Sequence, residues 1–145
     1  MLVRLMYASR AKAPVEQDDL LAILRHSRQA NPLRGVTGAL CFSNGIFLQV
    51  LEGGRSAVNL LYNKITCDGR HVDVMLLSYE EISERRFAGW SMGQVNLTRM
   101  NPGMLLKYSE TATLDPYGVS GVAMAALFDE MIAGAAIMGT AQPNG

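Results

Sequence analysis

The chain opens in strict alternation. Val3, Leu5 and Tyr7 fall on one side and Leu2, Arg4, Met6 and Ala8 on the other, a period of two that predicts a strand over 2–8. Lys12–Pro14 reads as a loop. Asp18 or Asp19 can cap a helix with the stripe Leu20, Ile23, Leu24 and Ser27, reaching Asn31 one turn on. Pro32 is expected to push Asn31 out of helical geometry and end that helix. Val36–Ser43 predicts a second strand, Asn44-Gly45 a tight hairpin turn, and Ile46–Glu52 the returning strand. Gly53-Gly54 breaks it. Val58, Leu61, Tyr62 and Ile65 then recur at helical spacing, and Cys67-Asp68-Gly69 stops the second helix. Val72–Tyr79 is strand-like, Glu80–Ala88 reads as polar loop, and Trp90–Val95 as a last short strand.

The order β-α-β-β-α-β-β with right-handed crossovers predicts an α+β, ferredoxin-like fold. Its mixed sheet has five strands, with both helices on one face. The other face needs a cover, which the tail can supply. Asn101-Pro102 and Asp115-Pro116 each place a capping residue before a proline, a plausible helix start. A final helix over roughly Gly118–Met138 is apolar around most of its circumference and so expected to be buried. Ala141–Gly145 reads as a frayed end.

Composition narrows the function. Thirteen basic residues balance 13 acidic ones, which argues against nucleic acid and against an anionic membrane as partner. A hydrophobic fraction of 49% against 18% charged points to surface covered by a ligand, a partner or another copy. Cys41 and Cys67 lie far apart with no metal-ligand spacing to His26 and His71. They read as reduced thiols of a cytoplasmic protein. No stretch matches a signal sequence or a spanning helix.

Some residues sit oddly in a plain core. Gln49 interrupts a strand that is apolar on both faces, and an unpaired buried amide costs about 1–3 kcal/mol. Adjacent first and third strands would bring the Tyr7 hydroxyl to it. The first helix turns polar toward its end at Ser27 and Asn31, where an amide suits a heterocyclic imide edge. Arg70-His71 offers a cation for phosphate and an imidazole able to stack. Each has a plain alternative: an edge amide, a tyrosine with a wet tip, a stripe leaving the core, a solvated turn. No GxGxxG or phosphate loop follows a strand, and no nucleophile–base arrangement stands out.

In order and spacing, five segments resemble the BLUF domains, blue-light receptors using FAD. They are Tyr7-Ala8-Ser9, Asn31 with Gly35-Val36-Thr37-Gly38, Phe47 to Gly53, Asp68 to His71, and Arg85 to Met92. The resemblance implies a flavin-binding core over 1–97, with a helical extension over 98–145 in the same domain. It implies FAD between the two helices, with FMN or riboflavin left open. Tyr7 matches the electron donor, Gln49 the amide between that phenol and the flavin, and Asn31 the residue on the ring's carbonyl edge. Ile23, Ser27, Arg28, Asp68, Arg70 and His71 fall near ring, ribityl and phosphate positions. Trp90 and Met92 match an output pair whose dark orientation stays open. Pro32 departs from the family, many of whose members carry a second Asn there. Leu106-Lys107-Tyr108-Ser109 and the final helix look like the short stand-alone members. These are not enzymes, have no metal, and act through homo-oligomers and a protein partner. The tail residues Met124, Leu127, Phe128, Met131 and Ile132 fit self-association. The rival reading is a small enzyme or regulatory module of the same fold, such as an acylphosphatase-like hydrolase using Arg10 and Asn31.

Overall fold

The computed structural model describes residues 1–96, 101–133 and 137–138. The expected frayed end at 141–145 and the expected boundary at 97/98 lie outside them.

Among the described residues ten elements follow one another: β1 (Leu2–Ala11), α1 (Gln17–Arg34), β2 (Thr37–Ser43), β3 (Ile46–Gly54), α2 (Arg55–Thr66), β4 (His71–Ile82), β5 (Gly93–Val95), α3 (Pro102–Leu106), α4 (Gly121–Ala133) and β6 (Ile137–Met138). The sheet order is β4-β1-β3-β2-β5-β6. The first four strands pair with one another antiparallel, and β5 runs parallel to β2. This is the ferredoxin-like order with its fifth strand, extended at the edge by the two-residue β6. The β2–β3 hairpin turns on Asn44 and Gly45, with φ of 51° and 76°, the left-handed pair that a two-residue turn requires.

Each face of the sheet carries its own core. Val3, Leu5, Tyr7, Leu40, Leu51 and Met92 pack under Leu20 and Leu24 of α1 and Val58 of α2. Met6, Ala8, Ala39, Cys41, Leu48 and Val50 pack under Met124, Leu127, Phe128 and Met131 of α4. The apolar tail thus covers the second face. Burial pushes the Cys41 thiol up to about 12, and both cysteines are free.

Several expected boundaries are corrected. Pro32 does not end α1. The helix runs on to Arg34 with Asn31 inside it, and closes where Gly35 N donates to Pro32 O and Val36 N to Asn31 O. Proline costs the helix only its own amide donor, and the left-handed Gly35 (φ 69°) closes the last turn beyond it. The N-cap is Glu16, whose N–H donates to Asp19 Oδ2 at 2.9 Å. β4 extends through the expected loop to Ile82, because its Glu80–Ile82 pairs with Leu2–Arg4. β5 is only Gly93–Val95. Asn101-Pro102 starts α3 as expected. Asp115-Pro116 instead forms a turn in which Asp115 accepts from Gly118 N. The last helix begins at Gly121, and Ile137–Met138 pairs with β5.

Candidate functional site

The central residues meet because of register. Tyr7 and Gln49 are direct partners across β1 and β3, so alternation puts both on the helix-covered face. The Tyr7 hydroxyl donates to Gln49 Oε1 at 2.5 Å. Tyr62 of α2 lies against the Tyr7 ring, with centroids 5.6 Å apart. Both Tyr7 and Gln49 are buried. Burial, reinforced by the charges of Tyr62 and Asp68, raises the Tyr7 hydroxyl above its ordinary range, so the phenol stays protonated and donating at neutral pH.

The other end of the amide faces sulfur. Gln49 Nε2 contacts Met92 Sδ at 3.4 Å, a weak acceptor. Met92 is fully buried on this face, whereas Trp90 packs among the residues of the opposite face, its ring 5.9 Å from that of Phe87. The segment carrying both is held by α1. Asn31 Nδ2 donates to Ser91 O at 2.8 Å and Arg28 Nε to Met92 O at 2.9 Å. Ile23 is half-buried in the same cluster, and Ser27 is half-buried one turn before Asn31.

The remaining expected residues lie at the far end of α2. His71 bridges Ser9 Oγ at 2.7 Å and Ile65 O at 2.6 Å. Arg70 folds back on Asp68, 2.7 Å from Oδ2, and this hydrogen bond holds the Asp68 carboxyl at about 2. The two ends of the set therefore differ. The Tyr7 end is buried and dipolar, while Arg70 is exposed. The acylphosphatase-like pair is not assembled: Arg10 meets Asp73 at 3.5 Å and stacks over Tyr117, while Asn31 on α1 makes one bond from Nδ2 to Ser91 O.

Sequence reasoning passed over Glu52. It lies in the Phe47–Gly53 segment as a carboxylate amid apolar residues, which was the available signal. The structure buries it completely on the α4 face. It accepts from Arg4 Nε at 2.7 Å, Arg86 N at 3.0 Å and Phe87 N at 2.7 Å.

A flavin fits this set. Arg28 Nη2 and Ser91 Oγ are buried without a hydrogen-bond partner among the described residues. Gln49 Nε2 meets only a thioether among the described residues. Buried donors of this kind call for acceptors, and an isoalloxazine edge is rich in them. Among the described residues no acidic, cysteine or histidine cluster suits a metal, and no helix is long and apolar enough to cross a membrane.

Comparison with known proteins agrees. The sequence profile described as "Sensors of blue-light using FAD", BLUF, matches residues 2–93. A relative, photoactivated adenylate cyclase subunit beta of Euglena longa, is 40% identical over 92 residues, 63% of this chain and 11% of that protein. Subunit alpha of the Euglena gracilis enzyme is 40% identical over 84 residues, 58% of this chain and 8% of its own. The chain thus spans about a tenth of the length of these curated relatives. The solved structure of BlsA in its photo-activated state superposes with a TM-score of 0.80 at 32% identity, covering 91% of this chain and 95% of that one. The dark-state structure of BlrB, a BLUF protein, gives 0.76 at 32% identity, covering 92% and 96%. The fold and the site define a flavin-based light sensor. This chain belongs to the BLUF family of blue-light sensors using FAD.

Proposed function

We propose that the protein is a cytoplasmic blue-light receptor that binds FAD non-covalently between α1 and α2, and that it signals by protein–protein contact rather than by catalysis. The observation that carries this reading is the buried chain Tyr7–Gln49–Met92, with bonds of 2.5 and 3.4 Å. The flavin supplies a ring that absorbs blue light and becomes a strong oxidant when excited. Tyr7 is then the donor of one electron, and its phenolic proton has a direct path along the short bond to Gln49 Oε1. Were the electron and proton returned to Tyr7, the cycle would be redox-neutral and its lasting product a rotated or tautomerised Gln49 amide. A fully satisfied buried network has few arrangements, and a half-satisfied one is costly. The amide therefore switches between two states.

Asn31 holds the carbonyl edge of the ring, Ile23 and Ser27 line it, and Arg28 contributes its free Nη2. Asp68, Arg70 and His71 serve the ribityl and phosphate end. Met92 senses the amide directly. Trp90, on the other face, carries the change to the tail, where a homo-oligomer or a downstream protein reads it. Absorption spectra in the dark and under blue light test the reading: flavin bands near one per chain, shifting reversibly to the red, support it. A colourless protein, or yellow protein without the shift, ends it. Size-exclusion chromatography with light scattering, dark and lit, tests the output. An elution and mass independent of light overturn signalling by assembly.

A further inference from the structure

Glu52 lies three residues beyond Gln49 on β3, but alternation turns it to the opposite face. Its carboxylate gathers three donors from two directions: Arg4 Nε of β1, and the amides of Arg86 and Phe87 at the start of the segment leading to β5. From there four carbonyls of the segment are fixed, those of Phe87, Trp90, Ser91 and Met92. Trp90 N donates to Phe87 O at 3.0 Å, and Gly38 N to Trp90 O at 3.1 Å. Asn31 holds Ser91 O and Arg28 holds Met92 O. The last residue so placed is Met92, whose sulfur meets Gln49. Gln49 and Glu52 thus belong to one strand and hold the two ends of one short segment.

We propose that Glu52 is a positioning residue for the light-sensing amide. By fixing Arg86 and Phe87 it sets where the Met92 thioether stands against Gln49, and so how fast the switched amide returns to its dark arrangement. The chemistry requires a carboxylate. Its two acceptor oxygens suit three converging donors, whereas a glutamine would turn an NH2 toward one of them. A buried network left partly satisfied is costly, and the groups that would lose their acceptor are the Arg86 and Phe87 amides of the 85–92 segment. This inference rests on the reading of Gln49 as the switching amide.

The test compares the flavin-loaded full chain with E52Q, M92A and E52Q/M92A. After blue light, E52Q is expected to change the dark recovery rate by about fivefold or more, as a hydrogen bond altered by ~1 kcal/mol would. In the M92A background the same substitution is expected to change it by less than about twofold, because the residue it acts through is gone. Hydrogen exchange read by mass spectrometry is expected to quicken at 85–92 in dark E52Q while residues 2–10 stay protected. Should E52Q not fold, E52D keeps the charge on a shorter arm and is read the same way. Unchanged recovery in E52Q, or an equal effect with and without Met92, overturns the proposal. Loss of the red shift in the wild type overturns instead the reading beneath it. In that case the exchange at 85–92 still decides whether Glu52 holds the segment.

Discussion

The Tyr7 hydroxyl and the Gln49 amide oxygen meet at 2.5 Å inside the protein, and nothing but strand register brings them there. Tyr7 stands opposite Gln49 in the β1–β3 ladder. A slip of one residue would turn one of the two side chains to the α4 face. The hydrophobic pattern of both strands therefore fixes the site as firmly as it fixes the fold.

Two substitutions divide this pair. Tyr7→Phe leaves Gln49 Oε1 without its donor, and Gln49→Leu leaves the phenol without its acceptor. An orphaned buried group costs about 1–3 kcal/mol, so each variant is expected to lower the urea midpoint while keeping the fold and the flavin. Neither is expected to show the normal reversible red shift. A normal shift in either one removes that residue from the photocycle.

On the proposed function Asn31 acts twice, through its bond to Ser91 O and through the edge it would offer a ring. Asn31→Ala is therefore expected to weaken flavin binding by about tenfold, corresponding to ~1.4 kcal/mol for one buried hydrogen bond to the ligand. Titration of the flavin-stripped chain, followed by quenching of flavin fluorescence, measures this. Equal affinity in the variant and the wild type would take Asn31 out of the binding site.

Most of the architecture is legible in the sequence, because the strands alternate and the turn residues are emphatic. Asn44-Gly45 and the helical spacing of Val58, Leu61, Tyr62 and Ile65 each have one reading. The errors have a common cause: one local signal overridden by another a few residues on. Pro32 forbids a backbone hydrogen bond, yet the left-handed Gly35 supplies the cap that carries the helix past it. Asp115-Pro116 offers a helix start, but Asp115 spends its side chain on the Gly118 turn. The site is legible only through residues misplaced for their surroundings. Gln49 is one such residue and was visible. Glu52 is another, but its three donors come from Arg4, Arg86 and Phe87, and no local pattern foretells that convergence.

The start of α4 is a close contact. A Cβ at Gly121 would run into the carbonyl oxygen of Leu77. Leu77 lies at the irregularity where the β1–β4 register shifts between Met6 and Tyr7. Gly121→Ala would ordinarily favour a helix. Here it is expected to destabilise by roughly 1–3 kcal/mol, the range for overpacking, because α4 must lift from the sheet. Thermal unfolding measures it, and a melting temperature equal to or above that of the wild type would show that α4 does not seat there. The same variant is expected to raise thiol labelling of Cys41, which α4 covers.

Asp68 and Arg70 give the protein an acid-side dependence whose sign follows from the pair. The Arg70 hydrogen bond holds the folded carboxyl at about 2, below its ordinary value of 3.8. A depressed folded value means that the pair contributes fully above about pH 4 and is lost as pH falls through 2. Arg70 is 77% exposed, so solvent screens the pair and its contribution is at most about 1 kcal/mol. Asp68→Asn is expected to lower the urea midpoint slightly at pH 6 and by much less at pH 2, where the folded carboxyl is already half protonated. High salt is expected to shrink the difference at pH 6. A difference undiminished at pH 2 would mean that Asp68 acts through packing or through its bond to the Arg70 amide rather than through charge. If the pair also serves the phosphate end of the flavin, bound flavin adds its own stability at pH 6, and Asp68→Asn then lowers the melting temperature of the loaded chain more than that of the stripped one.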